Sequence, residues 1–188
     1  ANVKDAFTPY NSINALRGNY SLAQTNGVDY MFNQMIAYNV NWAKLKYYLM
    51  SELRWNANPT EEEWNGWIAD FMTASYGAGA SAMTDYYEAW TSWTTTNQDN
   101  FLMDGEYVDD FSTTTSIGKN PSEIYSTSTL TLETLKSWLD SCNKALASLD
   151  KNDSKYQTYY NNIVLERLTP LYLIMYVHGE FGETWSWS

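Results

Sequence analysis

The stretch TEEEWNGWIADFMTASYGAG, residues 60–79, sets the pattern for the whole chain. Thr60 and Glu63 form a capping box, in which Thr60 accepts the Glu63 amide and the Glu63 side chain reaches back. Three glutamates in the first turn also suit the positive end of a helix. Apolar side chains then recur at helical spacing, at Trp64, Trp67, Ile68, Phe71 and Met72. The stretch predicts an amphipathic helix, broken at the glycines after Tyr76, and a structural role for its glutamates.

The same spacing predicts helices on both sides of this stretch. They cover residues 9–25, 41–55, 80–93, 131–149 and 154–177. Thr8 and Pro9 predict the start of the first helix, because proline favours the first helical position. The apolar run 28–36 is the only convincing strand candidate. The predicted fold is therefore mainly α, with about six helices in an irregular antiparallel bundle and at most one short strand near residues 28–32.

Composition restricts the partners. The chain has 188 residues and a net charge of −11, which fits one domain, or one domain with a remnant of another. Phosphate binding needs clustered Lys and Arg, so the acidity argues against a nucleic-acid partner, and it also disfavours an anionic membrane surface. The sequence has no apolar run of about 20 residues, the length of a transmembrane helix. We expect no nucleic-acid partner and no membrane insertion.

Metal, cofactor and nucleophile chemistry find little support. The chain has one Cys and one His, which are too few for a typical zinc site. A Ser or Cys triad needs a His base, and the one His stands at a predicted helix end, which argues against a triad. Cys142 falls in a helical pattern and is predicted to be a small core residue. His178 is predicted to cap a helix end. The acidic run 104–110 lacks the spacing of an EF-hand. We expect no metal and no cofactor.

The aromatic residues offer two kinds of candidate site. Trp64, Trp67, Trp90 and Trp138 lie in helical stripes and are core residues by default. Four residues off the stripes are the predicted substrate-binding set, Asn33, Gln34, Tyr38 and Trp42. Residues 94–128 are predicted to be a loop-rich insertion, and four aromatic residues there would serve a glycan-binding module, namely Phe101, Tyr107, Phe111 and Tyr125. With 22 carboxylates in the chain, no catalytic pair can be singled out.

Three segments carry a resemblance to a known family. LKYYLMSELRWN spans residues 45–56, DFMTASYGAGA spans 70–80 with Tyr86-Tyr87 after it, and LERLTPLY spans 165–172. These segments resemble the DUF4838 family, which is similar to glycoside hydrolases and distantly to α-glucuronidases. The resemblance is densest over 28–90 and 154–177.

The resemblance implies a place in a larger protein. Residues 1–40 would be the remnant of the end of a (β/α)₈ barrel, and 41–188 a C-terminal helical domain with the insertion at 94–128. Gly27 to Met35 resembles the last barrel strand, but Asn33 stands where the family pattern has an acidic residue. Met35 likewise replaces a glycine. These departures argue against a catalytic role here, and the family's active site at the top of the barrel would lie upstream.

The leading expectation is a helical module of a secreted or cell-surface bacterial glycoside hydrolase-like protein. It would support the upstream catalytic barrel, line part of the carbohydrate cleft and have no activity alone. The alternative is a non-catalytic glycan-binding or surface-interaction module. A cytosolic helical regulator is a third possibility.

Overall fold

The computed structural model describes residues 7, 9, 11–31, 41–97 and 126–180, and in them the chain is mainly helical. The helices are α1 (Ile13–Thr25), α2 (Ala43–Trp55), α3 (Glu61–Tyr76), a single 3₁₀ turn (Gly77–Gly79), α4 (Ala80–Thr96), α5 (Leu132–Ala147) and α6 (Tyr156–His178). No strand occurs in these residues. The predicted mainly α fold is confirmed.

The helix that the capping box predicts begins as expected. The Thr60 amide donates to Glu63 Oε2 at 2.7 Å, and the Glu63 amide donates to Thr60 Oγ1 at 3.1 Å. Glu61, Glu62 and Glu63 occupy the first turn of α3. The structural interpretation of these glutamates is therefore confirmed for the cap itself.

The predicted start of the first helix is wrong by four residues. The helix begins at Ile13 rather than at residue 9, because Asn11 Oδ1 accepts the Ile13 amide at 2.9 Å and so satisfies the first free N–H. Thr8 lies outside the described residues. The predicted end is confirmed: Gly27 adopts φ +63°, while its amide donates to Gln24 O at 3.1 Å and that of Val28 to Ala23 O at 3.0 Å. This is a Schellman cap.

The strand candidate is not a strand where the structure describes it. Residues 28–31 have no regular structure, and Val28 and Tyr30 are 52% and 93% exposed. A strand needs a neighbour for its backbone hydrogen bonds, and no other strand exists in the described part of the chain. Residues 32–36 lie outside it.

The predicted insertion begins later than expected. α4 continues to Thr96, so residues 94–96 are helical rather than loop. The Thr94 hydroxyl donates a hydrogen bond to Trp90 O at 2.9 Å within the helix. It also accepts a hydrogen bond from Asn11 Nδ2 at 3.2 Å. This bond across to residue 11 keeps the last turn of α4 in the bundle. Residues 98–125, with the four candidate aromatic residues, lie outside the described ranges.

One aromatic core joins the helices. α6 packs against α3 and α5, α4 packs against the same two helices, and α2 packs against α1 and α3. The largest fully buried side chains include Trp42, Trp90, Trp138 and Tyr86. Trp64 is also buried, and Trp67 packs partly buried against the cluster. The core assignment of the striped tryptophans is confirmed, fully for three and partly for Trp67.

The junction of α3 and α4 is tight. Gly77 adopts φ +53°, and a Cβ there would overlap the ring of Tyr159 on α6. The glycine is thus required both by backbone conformation and by the close approach of α6. It fixes how α3, α4 and α6 meet around the core.

Candidate functional site

The start of α2 has an unusual backbone. Asn41 and Trp42 have φ of 54° and 60°, and they are the non-glycine residues with positive φ in the described ranges. Such conformations cost about 1–3 kcal/mol each and persist only where surrounding contacts hold them. Both residues are buried. The contacts that hold them therefore define the candidate site.

The holding group is a carboxylate from another helix. Glu166 lies on α6 and is 3% exposed. Its Oε2 accepts the Trp42 amide at 3.1 Å, and the Asn41 amide also donates to this side chain. The N-cap residue, Trp42, makes no side-chain cap hydrogen bond. Glu166 instead accepts from the backbone at the start of α2, and its charge faces the positive helix end. We call Glu166, Asn41 and Trp42 the Glu166 anchor.

Burial governs the protonation of the anchor. It raises the pKa of Glu166 from 4.5 to about 7, and the backbone N–H groups, Lys46 and Lys44 oppose that rise. Burial likewise lowers the pKa of Lys46 from 10.5 to about 8, against the attraction of Glu166. The Lys46 ammonium lies 5.9 Å from the centroid of the Trp90 ring. Carboxyl and ammonium thus share one desolvated region, and each makes the charge of the other less costly.

Other titratable groups face Glu166 without adding charge. Tyr76, Tyr86 and Cys142 interact electrostatically with it from α3, α4 and α5, and burial raises the pKa of all three. They stay neutral at physiological pH. For Cys142 this means a protonated, unreactive thiol in the core, as the sequence predicts.

The ring of Trp42 is enclosed by aromatic residues. Its centroid lies 5.1 Å from that of Tyr86, 5.3 Å from Tyr87 and 6.4 Å from both Tyr76 and Trp90. These separations are those of favourable edge and tilted contacts. Of the predicted substrate-binding set, Trp42 is the described member, and it serves as a core residue here. Asn33, Gln34 and Tyr38 lie outside the described residues, and their role stays a prediction.

His178 occupies a different kind of position from the predicted cap. It is the last residue of α6, and Gly179 follows it with φ 65°. Its Nε2 lies 2.7 Å from the Leu130 carbonyl, to which it donates. The imidazole therefore ties the end of α6 to the residues before α5 rather than capping its own helix.

The site geometry defines what this region can do chemically. A carboxyl with a pKa near 7 is suited to general acid–base work. The Glu166 carboxyl, however, is buried and bonded to backbone amides, so it positions the chain rather than contacting a substrate. Among the described residues, no three His, Cys, Asp or Glu side chains converge on a possible metal position.

The sequence signal for the anchor is weak but real. Glu166 stands in a helix that is apolar on most of its circumference, four residues before Pro170. A charged residue in such a helix needs a buried partner. Its partner, the Trp42 amide, lies 124 residues away in sequence, and nothing in the sequence around Trp42 identifies it as the partner.

Comparison with known proteins adds no relative. No family model, no curated protein and no solved structure matches the chain. Among the described helices, none is long and apolar enough to cross a membrane.

Proposed function

We propose that this chain is the helical C-terminal module of a secreted bacterial glycoside hydrolase-like protein. The module supports an upstream catalytic barrel and holds residues 33–40 along one side of the carbohydrate cleft. It has no catalytic site of its own. The glycoside hydrolase context rests on the sequence resemblance, and the observation that carries the positioning role is the Glu166 anchor.

The anchor fixes the chain at Asn41 and Trp42, which directly follow residues 33–40 in sequence. Trp42 is held by its amide bond to Glu166 and by its ring in the aromatic core. Substrate-binding groups need support from rigid elements, because small displacements lose much of their effect. Glu166 would thus be a positioning residue, which acts on the cleft through the backbone of Asn41 and Trp42.

An exposed apolar region supports contact with another domain. Leu22 is 64% exposed and Met31 41%, and Val28 and Tyr30 lie between them in sequence. Contiguous exposed apolar patches mark contact sites, and these four side chains, close together in sequence, are candidates for such a patch. They lie at the end of α1 and just before residues 33–40, where a preceding barrel would meet the bundle.

The composition of the described core supports a non-catalytic role. His178 is bonded to a backbone carbonyl, Cys142 is a buried thiol, and Glu166 is bonded to amides. These three groups are therefore engaged in structure. The parent reaction would be hydrolysis by a pair of carboxylates in the barrel.

The proposal is tested in the full-length gene product that contains these residues. Glu166→Ala should lower kcat/KM on a panel of aryl glycosides by about tenfold or more, because misplaced binding groups lose that much. Glu133→Ala, at an exposed position on α5, is the matched control and should leave kcat/KM unchanged. Circular dichroism on both variants separates displacement of the segment from unfolding. A folded Glu166→Ala protein with unchanged kcat/KM contradicts the positioning role.

A second candidate function, a glycan-binding module, is favoured by exposed aromatic residues on α2. Trp55 is 92% exposed and Tyr47 is 38% exposed. They lie eight residues apart on α2, about 80° from each other around the helix axis. Indole and phenol rings stack on the apolar faces of sugar rings. A glycan array probed with the isolated chain tests this candidate: binding that Trp55→Ala abolishes supports it, and no binding to any glycan contradicts it.

A further inference from the structure

An open cavity lies between α1 and the connection from α2 to α3. Its volume is about 350 Å³, and it is lined by Arg17, Gly18, Ser21, Asn58 and Pro59. Small-molecule sites usually measure about 300–1,000 Å³, so this one suits a ligand of a single ring. It involves none of the residues of the Glu166 anchor.

The polar groups of the cavity are held in place by their neighbours. Arg17 Nη1 forms an ion pair with Glu61, and Arg17 Nη2 donates to Pro59 O at 2.8 Å. Asn58 Nδ2 donates to Gln24 Oε1. These bonds join α1 to the loop before α3 at positions that are partly or fully exposed, so the two walls of the cavity are connected to each other.

The charge of the region favours a neutral ligand. The Arg17 guanidinium is paired with Glu61, and Glu62 and Glu63 follow in the first turn of α3. The whole chain carries a net charge of −11. An anion would therefore meet an unfavourable field. The guanidinium, the Ser21 hydroxyl and the Asn58 amide together offer both donors and acceptors, which is what adjacent hydroxyl groups of a polyol need.

The glycine at position 18 supports a binding role for the cavity. A glycine in a helix interior destabilises the helix relative to alanine. A Cβ built on Gly18 meets nothing within 4 Å, so neither close packing nor a left-handed backbone requires glycine there. The position of the missing side chain is open space, and Gly18 is one of the residues that line the cavity.

We propose that this cavity binds one pyranose ring of a neutral sugar. Arg17, Ser21 and Asn58 would hydrogen-bond its hydroxyl groups, and Gly18 would make room for the ring. The site goes beyond the supporting role proposed above, since it gives the module a carbohydrate contact of its own.

The test uses saturation-transfer NMR on the 188-residue chain, with methyl α- and β-hexopyranosides and methyl xylosides as probes. We expect saturation transfer to at least one neutral glycoside. Gly18→Ala should weaken its binding by about tenfold, equivalent to about 1.4 kcal/mol. The same variant should raise the Tm by about 2–4 °C, because alanine is the better helix former.

The matched control is Gly66→Ala. Gly66 is also inside a helix and also has nothing within 4 Å of an added Cβ, but it lies on α3, away from the cavity lining. It should raise the Tm equally and leave binding unchanged. The proposal is overturned if no neutral glycoside shows saturation transfer, if Gly18→Ala and Gly66→Ala bind alike, or if methyl glucuronide or phosphate competes better than every neutral sugar. Failure here leaves the positioning role of Glu166 intact, since that role is measured by kcat/KM in the full-length protein.

Discussion

Replacing Glu166 by Gln should change how stability depends on pH. The folded-state pKa of Glu166 is raised from 4.5 to about 7. A carboxyl of this kind holds its proton more tightly in the folded chain than in the unfolded one. Its contribution to stability is therefore complete below pH 4.5 and is lost as the pH rises from 4.5 through 7. Glutamine keeps an oxygen for the Trp42 amide but does not ionise. The contribution of residue 166 to stability therefore stays constant with pH in the variant.

The size of the effect follows from the shift. The difference between 7 and 4.5 is 2.5 pKa units, and at 1.36 kcal/mol per unit the loss is about 3 kcal/mol in the unfolding free energy of the wild type. The pKa of Lys46 is lowered to about 8. The burial of its ammonium therefore destabilises the fold fully below pH 8, and this destabilisation decreases only as the pH rises above 8. The window from pH 4.5 to 7 thus reports mainly on Glu166.

The assay is urea denaturation of wild type and Glu166→Gln at half-unit steps from pH 4.5 to 7. Subtracting one curve from the other removes carboxylates common to both proteins. The stability of the variant relative to wild type should rise by about 3 kcal/mol across the window. Glu133→Gln, at an exposed position, should stay within about 0.5 kcal/mol of wild type at every pH. A difference between wild type and Glu166→Gln that does not change with pH refutes the reasoning.

Two further substitutions and one labelling reaction test the packing of the core. Gly77→Ala should lower the unfolding free energy by about 2–4 kcal/mol in urea titrations, since φ +53° strains alanine and its Cβ overlaps Tyr159; an unchanged midpoint contradicts the tight junction. Trp42→Ala should cost about 3–5 kcal/mol by the same measurement, whereas Trp55→Ala should stay within about 0.5 kcal/mol; equal effects would show that Trp42 is not in the core. Cys142 is buried with a raised pKa, so iodoacetamide followed by mass spectrometry should modify it only as fast as the chain unfolds; rapid labelling of the folded protein contradicts this burial.

The parts of the fold that sequence predicts well are those whose causes are local. The Thr60–Glu63 capping box and the apolar stripe after it lie within a few turns of one another, and both appear as predicted. The glycine at position 27 ends α1 for an equally local reason. Such features depend on backbone hydrogen bonds and side-chain spacing that a short window contains.

The wrong predictions occur where several local groups compete or where the deciding group is distant in sequence. Asn11 and Pro9 both offer a start for the first helix, and the Asn11 side chain decides it by bonding the Ile13 amide. Val28 and Tyr30 are residue types typical of strands, but the described part of the chain contains no second strand with which they could pair. Composition alone does not show whether a partner strand exists.

The candidate site is the least predictable part of the molecule. The bond between Glu166 and Trp42 joins two helices that are far apart in sequence. The positive φ of Trp42 leaves no trace in local spacing. A charged residue in a largely apolar helix indicates that Glu166 is buried, but it does not identify the partner. The cavity at Gly18 is similar, since it forms only where α1 meets the loop at Pro59.

The supporting role is tested most directly by comparing glycoside turnover in two proteins, the isolated 188-residue chain and the full-length gene product that contains it. The account predicts hydrolysis of at least one aryl glycoside by the full-length protein and none above background by the isolated chain. Turnover by the isolated chain would contradict the account, and so would a folded full-length protein that hydrolyses no glycoside.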